Sequence, residues 1–241
     1  MVKQLQGPNF EQAPITSFNI DGTHLYIPIP QECNDNTKCA ESHIEALDRD
    51  EIYNVIDPEF MFRKYLLKTN FGYSELNDKL RVGSIYIDLD LLRVDGHRPD
   101  SCKTILNDDG LRDLYFDMLK YEEGKIRAQQ SAEKSDKYLV FPKSLEEIET
   151  LKFDGSSWLF AICGYAEVTK PYRRFMTSIT NNHVLTAMIT VGGFDFGSVE
   201  LEQQLVAEAD QYILDFIKSI RIDYSPETLA EIQRVRGDVT A

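Results

Sequence analysis

The stretch Trp158-Leu159-Phe160-Ala161-Ile162-Cys163-Gly164-Tyr165-Ala166-Glu167-Val168 contains a single charged residue. An apolar run of this length reads as a strand buried on both faces, the mark of a central strand. Tyr172–Ile179 and His183–Val191 follow as two more strand candidates, joined through Asn181-Asn182, residues that suit a tight hairpin turn. Three consecutive strands with short connections predict an antiparallel meander. Gly192-Gly193 then breaks the sheet. Beyond it Leu201, Leu205, Ala209, Tyr212, Ile213, Phe216, Ile217 and Ile220 recur at three and four, giving one apolar helical stripe to lay across the meander, with Ser198 as its cap. The fold class predicted is α+β, an antiparallel sheet packed against helices.

Upstream, Ile15–Ile20 and His24–Ile29 flank Asp21-Gly22 and predict a hairpin, whose second strand Pro28 and Pro30 either end or confine to an edge. Glu41–Tyr53 reads as a weak helix. Asp57-Pro58-Glu59 reads as the start of a stronger one, with Phe60, Met61, Tyr65 and Leu66 as its apolar face and Gly72 after its end. Leu80–Val94 alternates Ile85, Ile87, Leu89 and Leu91 against Tyr86, Asp88 and Asp90, a strand with one wet face. Asp109 opens a helix through Tyr121. Residues 122–137 have almost no large apolar side chain, so they are the solvated end of that helix or a mobile segment. Tyr138–Phe141 predicts a short strand, Ser144-x-x-Glu147 a capping box for a helix ending near Lys152, and Ser225-Pro226-Glu227 a last short helix. Residues 1–241 are expected to form one α+β domain, an α/β/α sandwich with a long middle insertion at about 70–145.

Three of these pieces together resemble the Mog1/PsbP-type α/β sandwich superfamily, which includes the DcrB-like proteins. They are the hairpin ending in Leu25-Tyr26-Ile27-Pro28-Ile29-Pro30, the meander, and the closing helix running into Phe216-Ile217-Lys218-Ser219-Ile220-Arg221-Ile222. The resemblance covers the two ends of the chain, about half of it, and rests on patterns of strand, turn and helix. It implies a sandwich used for binding proteins and carries no catalytic residues across.

Lys+Arg total 26 against 40 Asp+Glu, a formal net charge of -14. That field repels a phosphate backbone and an anionic membrane surface, so nucleic acid is not an expected partner. No run approaches the ~18 apolar residues of a membrane span. The first residues lack the apolar core of a signal peptide, so the cytoplasm is the expected compartment; a chain already relieved of its signal reads the same, which leaves the periplasm as the alternative. Cys33 and Cys39 flank a polar loop and are spaced to form a disulfide in an oxidising compartment. Cys39 with His43 suggests zinc but lacks a fourth ligand, and Cys163 reads as a buried structural thiol.

Chemistry-bearing patterns are sparse. Asp88 and Asp90 point to one face of a strand, and with Asp95, His97 and Asp100 downstream they form the set most able to hold a divalent cation. Gly192-Gly193-x-x-x-Gly197 before a helix superficially resembles a phosphate cradle, but Glu200 and Glu202 would repel phosphate and no Lys stands in P-loop position. Gly155-Ser156-Ser157-Trp158 lacks the glycine of a nucleophile elbow, and His24, His43, His97 and His183 form no paired motif; His183 reads as a turn or strand-end residue.

The expected function is therefore a non-enzymatic protein-binding module without a cofactor. Its partner is a basic or mixed-charge protein, and an immunity-type inhibitor or chaperone for a bacterial secreted toxin is one concrete form. Phe194, Asp195 and Phe196, two aromatics in a glycine-rich loop, are the candidate anchor. The alternative is a metal-assisted hydrolase built on Asp88, Asp90 and His97.

Overall fold

Residues 81–93 form a strand, β8, because Ile85, Ile87, Leu89 and Leu91 all turn to one side and are fully buried there. Everything else is arranged about this strand. The computed structural model describes residues 5–30, 37–57, 61–75, 81–94, 104–129, 137–153, 156–165, 171–192 and 199–236.

On one side β8 pairs antiparallel with β13 (His183–Gly192), which continues through β12 (Tyr172–Ser178) and β11 (Ser156–Tyr165) to β10 (Glu149–Phe153). The predicted meander is thus present, and Asn182 lies in its last turn. On the other side β8 pairs with β7 (Met61–Glu75). Three short strands line the outer edge of β7: β6 (Val55–Asp57), β4 (Lys38–Cys39) and β1 (Leu5–Gln6). A further short strand, β9 (Leu139–Val140), pairs with the end of β11. The whole is one ten-stranded sheet with all its pairings antiparallel.

One face of this sheet packs against a second, smaller sheet. That sheet contains the predicted hairpin, β2 (Ile15–Ile20) and β3 (Thr23–Pro28), with β5 (His43–Ile44) and β14 (Arg221–Asp223). Pro28 ends β3 and does not make it an edge, since β3 lies between β2 and β14. Beside the small sheet lies α2 (Val199–Ser219), whose Leu205, Ala209, Ile213, Phe216 and Ile217 are buried in the same core as Phe71, Ile87, Phe175 and Ala187. Phe216 sits at the centre, 5.3 Å from the ring of Phe10. The last helix, α3 (Pro226–Arg236), is capped by Ser225, whose hydroxyl accepts from Thr228 N–H at 3.2 Å.

The opposite face carries α1 (Asp108–Gln129), which buries Leu111, Leu114, Tyr115, Met118 and Leu119 against Leu159, Ala161, Cys163 and Met176. Asn107 caps it, accepting from Gly110 N–H at 2.8 Å. The predicted helix here runs eight residues past Tyr121, so 122–129 are its end, largely in solvent but with Ile126 still packed on the core, and 130–136 fall outside the described residues. The long middle is therefore the source of both β8 and α1.

Three predicted helices are corrected. From Met61 onward the chain is the 15-residue β7. Leu67, Phe71 and Tyr73 are buried on its inner face at period two, while the apparent three-four spacing of Met61, Tyr65 and Leu66 straddles a register shift between Tyr65 and Leu67. Residues 41–53 form β5, a loop and a 3-10 turn at Asp50–Ile52. After Ser144 there is only a 3-10 turn, Leu145–Glu147, before β10 begins. Leu151 and Phe153 pack toward the main core while Thr150 takes a hydrogen bond from Arg112 of α1, an alternation no helix satisfies. Nor is β11 the centre of its sheet. It is apolar on both sides because a core lies against each, whereas β8 and β13 occupy the middle.

Candidate functional site

On the wet side of β8, Tyr86, Asp88 and Asp90 meet the side chains that the register brings opposite. Lys68 of β7 stands across from Asp88, and Tyr65 across from Asp90. The Lys68 Nζ lies 3.5 Å from Asp88 Oδ1, and Arg63 Nη1 lies 3.9 Å from Asp90 Oδ2. Lys68 also sits over the Tyr65 ring at 4.1 Å from its centre. On the other flank, Thr186, Met188 and Thr190 of β13 stand opposite Asp90, Asp88 and Tyr86.

Arg174 of β12 is across β13 from this group, opposite Met188. Its Nη1 lies 3.6 Å from Glu122 of α1, Tyr172 donates its hydroxyl hydrogen to the same carboxylate, and Tyr115 donates to the Arg174 carbonyl at 2.8 Å. This cluster ties α1 to β12. Past it the surface opens, and Tyr86 is 50% exposed.

Asp90 is the unusual member. Its side chain is 9% exposed and its Oδ1 has no hydrogen-bond partner. Burial pushes its carboxyl up to about 6; neighbouring Asp88 adds to the rise, and Arg63, Arg174 and Lys68 oppose it. The two aspartates predicted as metal ligands are each faced by a cation, and no group of three His, Cys, Asp or Glu converges among the described residues. Asp95, His97 and Asp100 lie outside the described residues, as do Cys33 and the proposed anchor Phe194, Asp195 and Phe196. What the arrangement offers chemically is a strip of charges and hydroxyls fixed on rigid strands, able to exchange hydrogen bonds with another surface.

The remaining sequence candidates are spread through the fold. Cys163 is fully buried, and burial pushes its thiol up to about 12, so it is inert as expected. Cys39 is exposed on β4, and His43 pairs with Glu45 at 2.7 Å. His24 stacks on Tyr26. His183 is buried at the start of β13, where its Nδ1 lies 2.8 Å from Thr180 Oγ1 and its Nε2 lies 3.1 Å from Tyr53 Oη. The Tyr53 hydroxyl donates to Leu47 O at 2.6 Å, so it accepts from His183 Nε2–H, and Nδ1 accepts from Thr180. With Arg93, which stacks over Phe62 and donates to Asp50 at 2.7 Å, this network fastens the 47–53 segment to the sheet. Ser156 and Ser157 line a cleft of about 550 Å³ at the end of β11, beside Asp108 and Lys152.

Sequence reasoning missed Arg63 and Lys68 because it placed them on a helix. The signal was available in Leu67, Thr69, Phe71 and Tyr73, a two-residue alternation that sets Lys68 and Asn70 on the opposite face. Arg174 was passed over as a strand residue, and Glu122 as the start of a solvated segment. No family model, no curated protein and no solved structure matches the chain.

Proposed function

We propose that this chain is a non-enzymatic protein-binding module that docks its partner on the open part of the sheet formed by β7, β8 and β13. The observation that carries the reading is the composition of that surface. Tyr65, Lys68, Tyr86, Asp88 and Met188 stand side by side on adjoining strands, half-buried or exposed, and Arg174 borders them. Tyr, Met and Arg are among the residues enriched in protein interfaces, and side chains held on paired strands are presented at little backbone ordering cost. The occupant is a mixed-charge protein surface with a cation for Asp88 and an acid for Lys68 and Arg63. The net charge of -14 favours a partner that is basic overall and speeds its arrival. The resemblance of the chain ends to the Mog1/PsbP-type superfamily supports the same class, and an immunity-type inhibitor or chaperone is the form we favour.

The test uses a photo-crosslinking residue at position 86 and, as control, at Ile15, which is exposed on the small sheet. One defined protein is expected to be captured from position 86 and not from position 15. Purified, that protein should bind Tyr86→Ala and Asp88→Lys variants at least tenfold more weakly than the parent, as a loss of about 1.4 kcal/mol or more. Equal capture at both positions, or variants that bind like the parent, would overturn the reading.

A further inference from the structure

The two edges of the ten-stranded sheet are finished differently. The long edge strand β7 is covered by β6, β4 and β1 in turn. At the other edge β9 and β10 lie end to end along β11, and among the described residues β10 pairs with β11 alone. Its outer row of backbone donors and acceptors is a template for one more strand.

A cavity flanks each end of β10. Near Glu149, where the chain leaves the edge between β9 and β10, one of about 230 Å³ is lined by Val140, Phe141, Pro142 and Ile162. Beyond Phe153 lies the cleft of about 550 Å³, walled by Asp108 and Asp109 of α1 on one side and Leu229 and Ile232 of α3 on the other. Five large apolar residues are prominently exposed among the described residues, and three of them line these two cavities: Val140 (38%), Ile162 (44%) and Leu229 (44%). The edge is also acidic. Glu146, Glu147 and Glu149 are exposed beside it, and at the cleft Asp109 faces solvent while Asp108 pairs with Lys152 at 3.5 Å.

We propose that the free edge of β10 is a strand-addition site for an extended, basic segment of a partner protein, with apolar side chains seated in the two flanking cavities. This surface is separate from the open face and goes beyond the function proposed above. In this mode, main-chain bonds to an edge give affinity, and pockets for alternate side chains give specificity. At ~3.3 Å per residue the five residues of β10 span ~17 Å, so the two apolar anchors of the segment fall about four to six positions apart. The bordering carboxylates select lysine and arginine between and around them. A second copy of this chain is the poorer occupant, because it brings the same acidic edge and another 14 negative charges.

The test is selection of nine-residue peptides from a random displayed library by the folded protein, followed by hydrogen exchange. The winning peptides are expected to carry lysine or arginine together with two apolar positions at that spacing. A synthetic winner should slow amide exchange in Glu149–Phe153. Its affinity should fall at least tenfold in Ile162→Asp and in Leu229→Asp, both at exposed positions, and stay at the parent value in Tyr86→Ala. That last variant separates this edge from the open face, so either proposal fails without the other. A library that yields no binder, winners without basic residues, protection located away from β10, or binding unchanged in both cavity variants would overturn the proposal. So would concentration-dependent dimerisation of the protein alone with protection of β10, which would assign the edge to a second copy. The exchange measurement on the parent protein decides the matter even if a variant fails to fold.

Discussion

Within the single strand β8 the side facing α1 changes character. Leu92, at one end, is buried in the core beneath α1 with Met176 and Val184. Two residues on, Asp90 is buried but charged-capable, and Asp88 and Tyr86 beyond it stand in the open. The neighbouring β13 repeats the gradient from Val184 through Thr186 to Met188 and Thr190. Both ends share one backbone geometry, so the helix decides which is core. Where Leu114 and Met118 reach the sheet, apolar side chains are required; beyond the cover of α1, past Arg174 and its partner Glu122, the strands are released to carry charge. The boundary is costly to build, since charges placed there need partners. Arg174, Glu122 and Tyr172 supply one another. Asp90 is left with one unpartnered oxygen.

The covered end of β8 carries the greatest expected loss. Leu114 is fully buried in the core beneath α1. Replacing it by Ala removes buried methyl groups and leaves a cavity, a loss of about 2–5 kcal/mol. Urea denaturation should show that loss as a lower midpoint with an unchanged slope. A shift below ~1 kcal/mol would mean that α1 is not the element holding this half of the face closed.

How much of this was legible beforehand depended on the length of each pattern. The meander and α2 were readable because Trp158–Tyr165 is uniformly apolar and the helical stripe runs through five turns, so neither had a competing period. The wet face of β8 was readable from strict alternation. Its partner β7 was not, because a register shift at Tyr65–Leu67 places two adjacent leucines, Leu66 and Leu67, both in the core. That bulge imitates helical spacing, and Asp57-Pro58-Glu59 added a genuine capping signal in front of it. Losing β7 meant losing Lys68 and Arg63, and the aspartates whose carboxylates they approach then looked like free metal ligands. Half a site was visible, and pairing supplied the other half. Strand pairing is a long-range property that local patterns do not encode.

A smaller effect, of opposite sign, is expected at the boundary. The folded protein holds the Asp90 proton more tightly than the unfolded chain does, with a carboxyl pushed from 3.8 to about 6. The stability this contributes is complete below about pH 3.8 and is lost as pH rises through about 6. At pH 7.5 the ionised, half-paired carboxylate therefore weighs against folding by about 1–3 kcal/mol. Asp90→Asn keeps the shape and removes the charge, at the loss of the contact with Arg63. The variant should be more stable than the parent by ~1–2 kcal/mol at pH 7.5, and the difference should shrink toward zero or reverse at pH 4. Measuring the difference between the two proteins cancels the other carboxylates. A difference that does not change from pH 4 to 7.5 would show that the burial of Asp90 carries no electrostatic strain.

The smallest effect belongs to the open end of β8. Tyr86 lies two positions from Asp88 and six from Leu92 along the same strand, yet half of its surface meets solvent. The exposed half gains nothing from folding, so Tyr86→Ala should change stability by no more than about 0.5 kcal/mol, the ordinary range of a surface substitution. Tyrosine favours strands over alanine, and β8 is a central strand, so the residual loss should come from backbone preference and contact with Thr190 across the ladder. Tyr86→Thr supplies the strand preference of a β-branched residue without an aromatic ring and should recover most of any loss seen with Ala, while leaving partner binding as weak as in Tyr86→Ala. Thermal melts and binding measured on the same two variants separate the contributions. If Ala instead costs more than ~1.5 kcal/mol, Tyr86 is a packed residue of the fold, and the open end of β8 is as structural as the end beneath α1.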